Sequence, residues 1–490
     1  MNISRVAVIG AGPSGLSAAK YLLAERFQRI DIFEKQSEVG GVWYYSATPS
    51  GTVQIPQSDP QDAPIYEPGK EGDSRGKPVF PSPMYDDLNT NIPHTLMKYS
   101  DLAFRDGCEI FPTRQDVQEY LVRYARDVRH LVKFSTQVTN VALRQDHQRD
   151  QWDVLIKNLL TGEETQETYD AVVVASGHYS TPYIPDSIEN ISEFNAAYPG
   201  LILHSKLYRN AETYRDKKVV IIGNGPSGLD ITHQIQRVSQ RLLLSVRTKT
   251  PPEMLEHIGR VEEIGQIKRF LIEDRAIEFY SDDNDNDGTT IEKDIDAVLF
   301  CTGYLYTFPF LSLSPPPVTD GRRVRGLAKH FLHVEHPTLA FPGLPIKVIP
   351  FPLAESQAAA FARLWSGRLP LPPRATLEAW ARADADAAAG PGKFHVFPKG
   401  ADGRYINELH EWVARDTKKG EAGGKEPPFW DEEMLWQRSI YAEAKMQFEK
   451  TGRRAKTLEE LGFRYEPAEA EVVTAPEDVE KTDPHLDVAG

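Results

Sequence analysis

The chain has 490 residues, 40% hydrophobic and 26% charged, with 56 Lys and Arg against 71 Asp and Glu for a formal net charge of −15. That composition excludes a wholly disordered or fibrous chain, and at roughly 150 residues per domain the length leaves room for about two to four units. The acidic balance argues against a nucleic-acid partner, and the two cysteines, Cys108 and Cys301, exclude a disulfide framework, a CxxC pair or a cysteine-rich zinc site.

Sparse cysteines read as a cytoplasmic protein. Val6 to Leu23 is apolar, but Gly10, Gly12, Pro13 and Gly15 interrupt it in a way no signal peptide requires. Elsewhere no apolar run approaches the ~18 residues of a membrane span, so no membrane partner is expected. Instead Arg5 to Ile9 predicts a short strand, Gly10-Ala-Gly-Pro-Ser-Gly15 a turn, and the next segment a helix with Leu16, Ala19 and Leu23 on one face. In that setting G-x-G-x-x-G is a dinucleotide signal. Gly10 permits the tight turn, Gly12 lets the backbone approach a pyrophosphate, and Gly15 lets the helix sit close to the sheet, its first N–H groups facing the phosphates. Glu34 ends the second strand 24 positions after Gly10 (34 − 10). A carboxylate there accepts from a ribose 2′-hydroxyl and repels a 2′-phosphate, which suits FAD or NAD.

Ser46 to Met84 shows no period and predicts a long loop, expected to roof a substrate entrance. Asp170-Ala-Val-Val-Val-Ala-Ser-Gly177 reads as a buried parallel strand ending in small residues. The opening signal then returns at an offset of 213 (223 − 10), as Lys218 to Ile222, Gly223-Asn-Gly-Pro-Ser-Gly228 and a helix with Ile231, Ile235 and Val238 on one face. Here Arg247 stands 24 positions after the first glycine (247 − 223), with Ser245 before it and Lys249 after. A guanidinium and a hydroxyl complement a phosphate, which predicts NADPH over NADH. Solvated strand-end charges are the competing reading. Ser281 to Gly288 predicts an acidic hairpin tip, and Asp296-Ala-Val-Leu-Phe-Cys-Thr-Gly303 repeats the D-A-V-x4-G pattern. From glycine to aspartate the copies span 160 (10 to 170) and 73 (223 to 296) residues, so the first carries an insertion where further contacts should lie. The expected fold class is α/β, with two Rossmann-like, doubly wound dinucleotide-binding domains. Two such sites with no cysteine pair to take electrons point to a flavin oxidoreductase whose acceptor is molecular oxygen. No residue cluster has metal-ligand spacing, and no metal is expected.

Four further segments make the chain resemble the class B flavin-containing monooxygenases, particularly the soluble microbial and fungal members, over most of residues 1–365. Glu34-Lys-Gln-Ser-Glu-Val-Gly-Gly-Val-Trp43 looks like the second FAD segment, and Tyr85 to Pro93 running into Met97 to Asp101 like the asparagine-bearing one. Tyr198-x-Gly200-x3-His204-x3-Tyr208 matches the identifying F-x-G-x3-H-x3-Y/W pattern except at Tyr198, and Cys301-Thr-Gly-Tyr304 is similar to the A-T-G-Y linker.

The resemblance implies FAD and NADPH as cofactors. Implied FAD contacts are Gly10, Gly12, Pro13, Ser14 and Gly15, then Glu34, Lys35, Gly41, Val42 and Trp43, and farther on Thr90, Asn91, Val138 and Gln357. Implied NADPH contacts are Ser205 and Tyr208, the loop Gly223, Gly225, Pro226, Ser227 and Gly228, then Ser245, Arg247, Thr302, Gly303 and Tyr304. It also implies a C4a-hydroperoxyflavin, kept from protons in a dry cavity, that oxygenates nucleophilic sulfur or nitrogen of a small molecule. Asn91 matches the family asparagine beside the flavin and is the expected catalytic residue, an Asn-x-Pro turn being the competing local reading. His204 is expected at a hinge rather than as a base, and Ser205 and Tyr208 as packing or NADP+ contacts. The NADPH domain is expected at 181–304, inserted into a discontinuous FAD domain of 1–180 and 305–465 whose last part is helical, with a disordered acidic tail at 466–490. A Baeyer–Villiger oxygenase of ketones, an amino-acid N-hydroxylase and a non-oxygenating NADPH oxidase or flavin reductase are the alternatives, the first usually carrying Trp where Tyr208 stands. Expected partners are a small-molecule substrate, molecular oxygen and a second copy of the chain.

Overall fold

The computed structural model describes residues 3–47, 53–61, 80–144, 149–281, 288–388, 390, 392–416 and 424–467. A parallel sheet forms around β1 (Arg5–Ile9), which is followed by α1 (Pro13–Ala24) and β2 (Arg29–Phe33) and flanked on its other side by β3 (Ala171–Val174). Val8 lies opposite Ile32 on one side and Val173 on the other. Four short strands widen the sheet to seven: Val132–Lys133 beyond β2, and Leu339–Ala340, Leu332–His333 and Leu327–Ala328 in turn beyond β3, with Leu332–His333 antiparallel to both its neighbours. Side chains alternate in direction along a strand, and β1 accordingly sends Val6 and Val8 into one core and Ala7 and Ile9 into another. Burial on both faces is why the run reads as continuously apolar.

The second sheet repeats this plan. β4 (Lys218–Ile222) is followed by α2 (Pro226–Ile235) and β5 (Arg241–Ser245), and pairs on its other side with β6 (Ala297–Phe300). Glu262–Ile264 and Ile202–His204 form the edges, and all pairings are parallel. The two D-A-V aspartates do the same work in each copy. The Asp170 carboxylate accepts from the Ser4 and Arg5 amides at 2.8 and 2.9 Å, and Asp296 accepts from the Lys218 amide at 3.0 Å. Each binds the start of the central strand to the strand that closes its unit.

α3 (Pro350–Ser366) is buried from Phe351 to Trp365, packed against α1. That sandwich also revises the predicted face of α1: Leu16 and Ala19 are buried, but Leu23 is 39% exposed and Leu22 takes its place inside. The stretch from 371 folds as helices Arg374–Asp386, Ala401–Asp416 and α4 (Glu432–Lys450), tied inward by an Arg438–Asp402 ion pair of 2.9 Å with both side chains almost fully buried. The strands Ala276–Tyr280 and Thr289–Glu292 pair antiparallel, while the tip predicted between them lies largely outside the described residues, as do most of 46–84 and the tail after 467. Among the described residues no helix is long and apolar enough to cross a membrane.

Candidate functional site

The two glycine loops are near-identical in backbone. Gly10 and Gly223 both have φ +101°, and their amides donate to Phe33 O and Ser245 O at 2.8 and 2.9 Å. A Cβ on Gly15 would lie 1.9 Å from Gly10 O, and one on Gly228 1.9 Å from Gly223 O, so neither position admits a side chain. The middle glycines differ. Gly12 is buried, with Gly41 Cα 3.4 Å from where its Cβ would be. Gly225 is exposed, with nothing within 4 Å of that point. Both loops lead into helices with Pro at the first position, leaving free N–H groups at the helix start.

Glu34 follows β2 and is 4% exposed. Its carboxylate accepts from the Ala11 amide at 2.7 Å and the Gln36 amide at 2.8 Å, so it is clamped beside the first loop. Burial pushes its pKa up and those amides pull it down; each oxygen keeps a lone pair for a further donor. Lys35 lies over the Phe80 ring, and burial lowers its pKa against the pull of Glu34. The strand carrying Val138 begins at the same place, Thr136 N donating to Glu34 O at 2.9 Å, but Val138 itself packs in the core with Ile9 and Phe33. Gly40 and Gly41, both at positive φ, bring Val42 and Trp43 past Gly12.

Asn91 stands exposed on a segment fixed on both sides, by Thr90 N to Pro112 O and His94 N to Ile110 O, each 2.8 Å. Tyr99 binds that segment to the first loop through a 2.8 Å bond from its hydroxyl to Pro13 O. Thr90 is buried, and its hydroxyl donates to Ile92 O at 2.7 Å. Gln357 sits on α3 with no exposure; its Oε1 accepts from Gly343 N at 2.8 Å and its Nε2 donates to Tyr405 at 2.9 Å. The expected direct contact is therefore corrected to a supporting one, since Gly343 lies close against Ser14.

Around the second loop Arg247 is exposed, as are Gly225, Pro226 and Ser227. Ser245 does not join them: it is buried and its hydroxyl donates to Gly265 O at 2.9 Å, because the strand turns it inward. Asn224 is a residue the sequence reading missed. Its amide donates to Thr248 O and Thr250 Oγ1, both at 2.9 Å, tethering the loop after Arg247 to the glycine turn. Its place inside G-N-G was the available signal.

The segments joining the units meet at Tyr183, whose amide donates to Gly303 O at 2.9 Å while its carbonyl accepts from Thr302. Tyr304 packs edge-on to His204 at 5.1 Å. His204 is fully buried, its Nδ1 accepting from Lys206 N at 3.1 Å and its Nε2 donating to Gly303 O at 3.1 Å. Burial pushes its pKa down to about 3, so it stays neutral wherever the protein works. Ser205 and Tyr208 are buried beside it, and the Tyr208 hydroxyl donates to Gln234 at 2.9 Å. We expect His204→Gln to lower thermal stability by about 1–3 kcal/mol through the lost bonds. The pH profile of kcat/KM between about 5.5 and 9 should keep its shape, whereas loss of a general base would remove a limb and cost about 10²–10⁴ in rate.

Comparison with known proteins agrees with this geometry. Residues 81–283 and 270–414 match the flavin-binding monooxygenase-like family, and residues 8–57 match an NAD(P)-binding Rossmann-like domain. The chain belongs to the flavin-binding monooxygenase-like family. The thiol-specific monooxygenase of Saccharomyces cerevisiae is 31% identical over 451 residues, covering 88% of this chain and 90% of that one. Flavin-containing monooxygenase FMO GS-OX-like 5 of Arabidopsis thaliana is 34% identical over 379 residues, covering 75% and 77%. Among solved structures, S-allyl-L-cysteine S-oxygenase from Allium sativum superposes with a TM-score of 0.73 at 27% identity, covering 94% of this chain and 96% of that one. Membership of this family implies FAD, and the first glycine loop can be tested for its fit. It fits: the loop turned by Gly10, the uncapped start of α1 and the Glu34 clamp suit a dinucleotide whose ribose has a free 2′-hydroxyl.

Proposed function

We propose that the protein is a monooxygenase that draws hydride from NADPH and places one atom of molecular oxygen on nucleophilic sulfur or nitrogen in small molecules. The observation that carries this is the repeated glycine loop in one chain, one copy held to the buried carboxylate of Glu34 and the other bonded to the strand end that leads to the exposed Arg247. On this reading residues 1–180 and 305–465 form the FAD unit, consistent with a seven-stranded sheet drawn from both stretches, and 181–304 form an inserted NADPH unit around the five-stranded sheet. The sulfur preference leans on the names of the yeast thiol-specific monooxygenase and the garlic S-oxygenase.

FAD, when bound, relays two electrons between nicotinamide and oxygen. The chain's own residues bind and orient. Helix-start N–H groups on α1 and α2 receive phosphates. Glu34 accepts from a ribose, and Asn91 offers an amide that both donates and accepts without a titratable proton. The test is product accounting, with a thiol, a thioether, a tertiary amine and a cyclic ketone each offered against NADPH consumed and peroxide released. Oxygenated sulfur or nitrogen supports the reading; ester from the ketone alone, or peroxide in every case, overturns it. Arg247→Ala tests the nucleotide assignment. Losing one charge-assisted contact to a 2′-phosphate, about 1.5–3 kcal/mol, should lower the NADPH/NADH ratio of kcat/KM about 10- to 100-fold. An unchanged ratio refutes it.

A further inference from the structure

Asn91 belongs to the first unit's insertion, yet the segment bearing it is not held by that unit alone. Six residues before it, Tyr85 is 6% exposed, packs in the core of the second unit edge-on to Tyr208 at 5.3 Å, and donates its hydroxyl to the Asp230 carboxylate. Asp230 lies on α2, five residues past Gly225, about 7 Å along the helix axis. Its carboxylate also accepts from Gln234 Nε2 at 3.2 Å, the side chain that receives the Tyr208 hydroxyl.

A third element closes the junction. Arg453, just past α4 and in the left-handed region at φ +60°, places its guanidinium 3.8 Å from the other oxygen of Asp230. The same guanidinium donates to Asp87 O at 3.2 Å and to Asn89 Oδ1 at 3.4 Å. Asn89 in turn donates to Phe111 O at 2.9 Å, and Ile110 N to Ala455 O at 2.8 Å, so the C-terminal region holds this segment from its far side. One carboxylate therefore ties together the helix that starts at the second glycine loop, the strap leading to Asn91, and the C-terminal helix.

We propose that Asp230 is a positioning residue, which through Tyr85 and Arg453 makes the placement of Asn91 depend on whether the second glycine loop holds its nucleotide. This rests on the proposed assignment of that loop to NADPH. A ligand seated at the start of α2 fixes the helix as a rigid body, and Asp230 transmits its position to residues 85–91.

Hydrogen exchange on the holoenzyme tests the coupling without turnover. Adding NADP+ should slow amide exchange at 223–235 and also at 85–94. In Asp230→Asn, which keeps size and shape, and in Tyr85→Phe, which removes the same bond from the other side, protection at 223–235 should persist while that at 85–94 falls at least about fivefold. Both variants should also release a larger share of consumed oxygen as peroxide at an unchanged rate of flavin reduction; a merely structural role would lower stability and leave that split alone. If NADP+ protects 223–235 but not 85–94 in the parent protein, or if both variants keep full protection at 85–94, the coupling is overturned. If NADP+ protects neither segment, the nucleotide assignment fails and the coupling with it.

Discussion

Gly225→Ala should fold like the parent and lose productive NADPH binding. A Cβ at this position meets nothing within 4 Å, and the backbone there, φ −72°, is one that alanine adopts freely. The protein itself therefore has no objection to the methyl group; only a pyrophosphate laid against the loop does. Displacing it from two helix-start N–H groups, each worth about 1.5–3 kcal/mol to a charged acceptor, should raise KM for NADPH about 10²- to 10⁴-fold. The melting temperature should fall by no more than a few degrees, since replacing an N-cap glycine with alanine costs about 1 kcal/mol. Gly228→Ala is the contrast: its Cβ would fall 1.9 Å from a carbonyl oxygen, so that variant should lose stability first. A Gly225→Ala enzyme with the parent's KM would remove the second loop from the nucleotide site.

The other large effect should be a change in where oxygen goes. In Asn91→Ala, NADPH should still be oxidised at close to the parent rate, while oxygenated product falls about 10- to 10³-fold and peroxide accounts for the difference. The exposed Asn91 side chain makes no hydrogen bond among the described residues, and its neighbours are fixed through their own backbones, so its removal should leave the melting curve in place. Simultaneous assay of NADPH, peroxide and product decides it. Full retention of product would return Asn91 to the status of a turn residue.

What could be read from the sequence was whatever local geometry forces. Gly10 and Gly223 must sit at φ +101°, and Gly15 and Gly228 must lie against a carbonyl, so the residue type at these positions carries the structure with it. The same holds for the apolar strands around them, where burial on both faces writes a continuous run. Side chains whose partners lie far away in sequence were not readable. Ser245 and Arg247 look equivalent as letters, but one turns into the core toward Gly265 and the other into solvent. Nothing local to Gln357 says that the helix carrying it is enclosed along almost its whole length. The stretch after 371 was unreadable for that reason: its purpose lies in contacts such as Arg453 with Asp87, separated by 366 residues.

The unequal shelter of Gly12 and Gly225 has a consequence for how the protein would keep its two nucleotides. The central glycine of one turn is buried against the backbone at Gly41; that of the other is exposed, with nothing within 4 Å of where its Cβ would be. On the proposed assignment the flavin would be the lasting resident, carried through dilution and dialysis as the protein's colour, and the nicotinamide a visitor whose departure could pace each cycle.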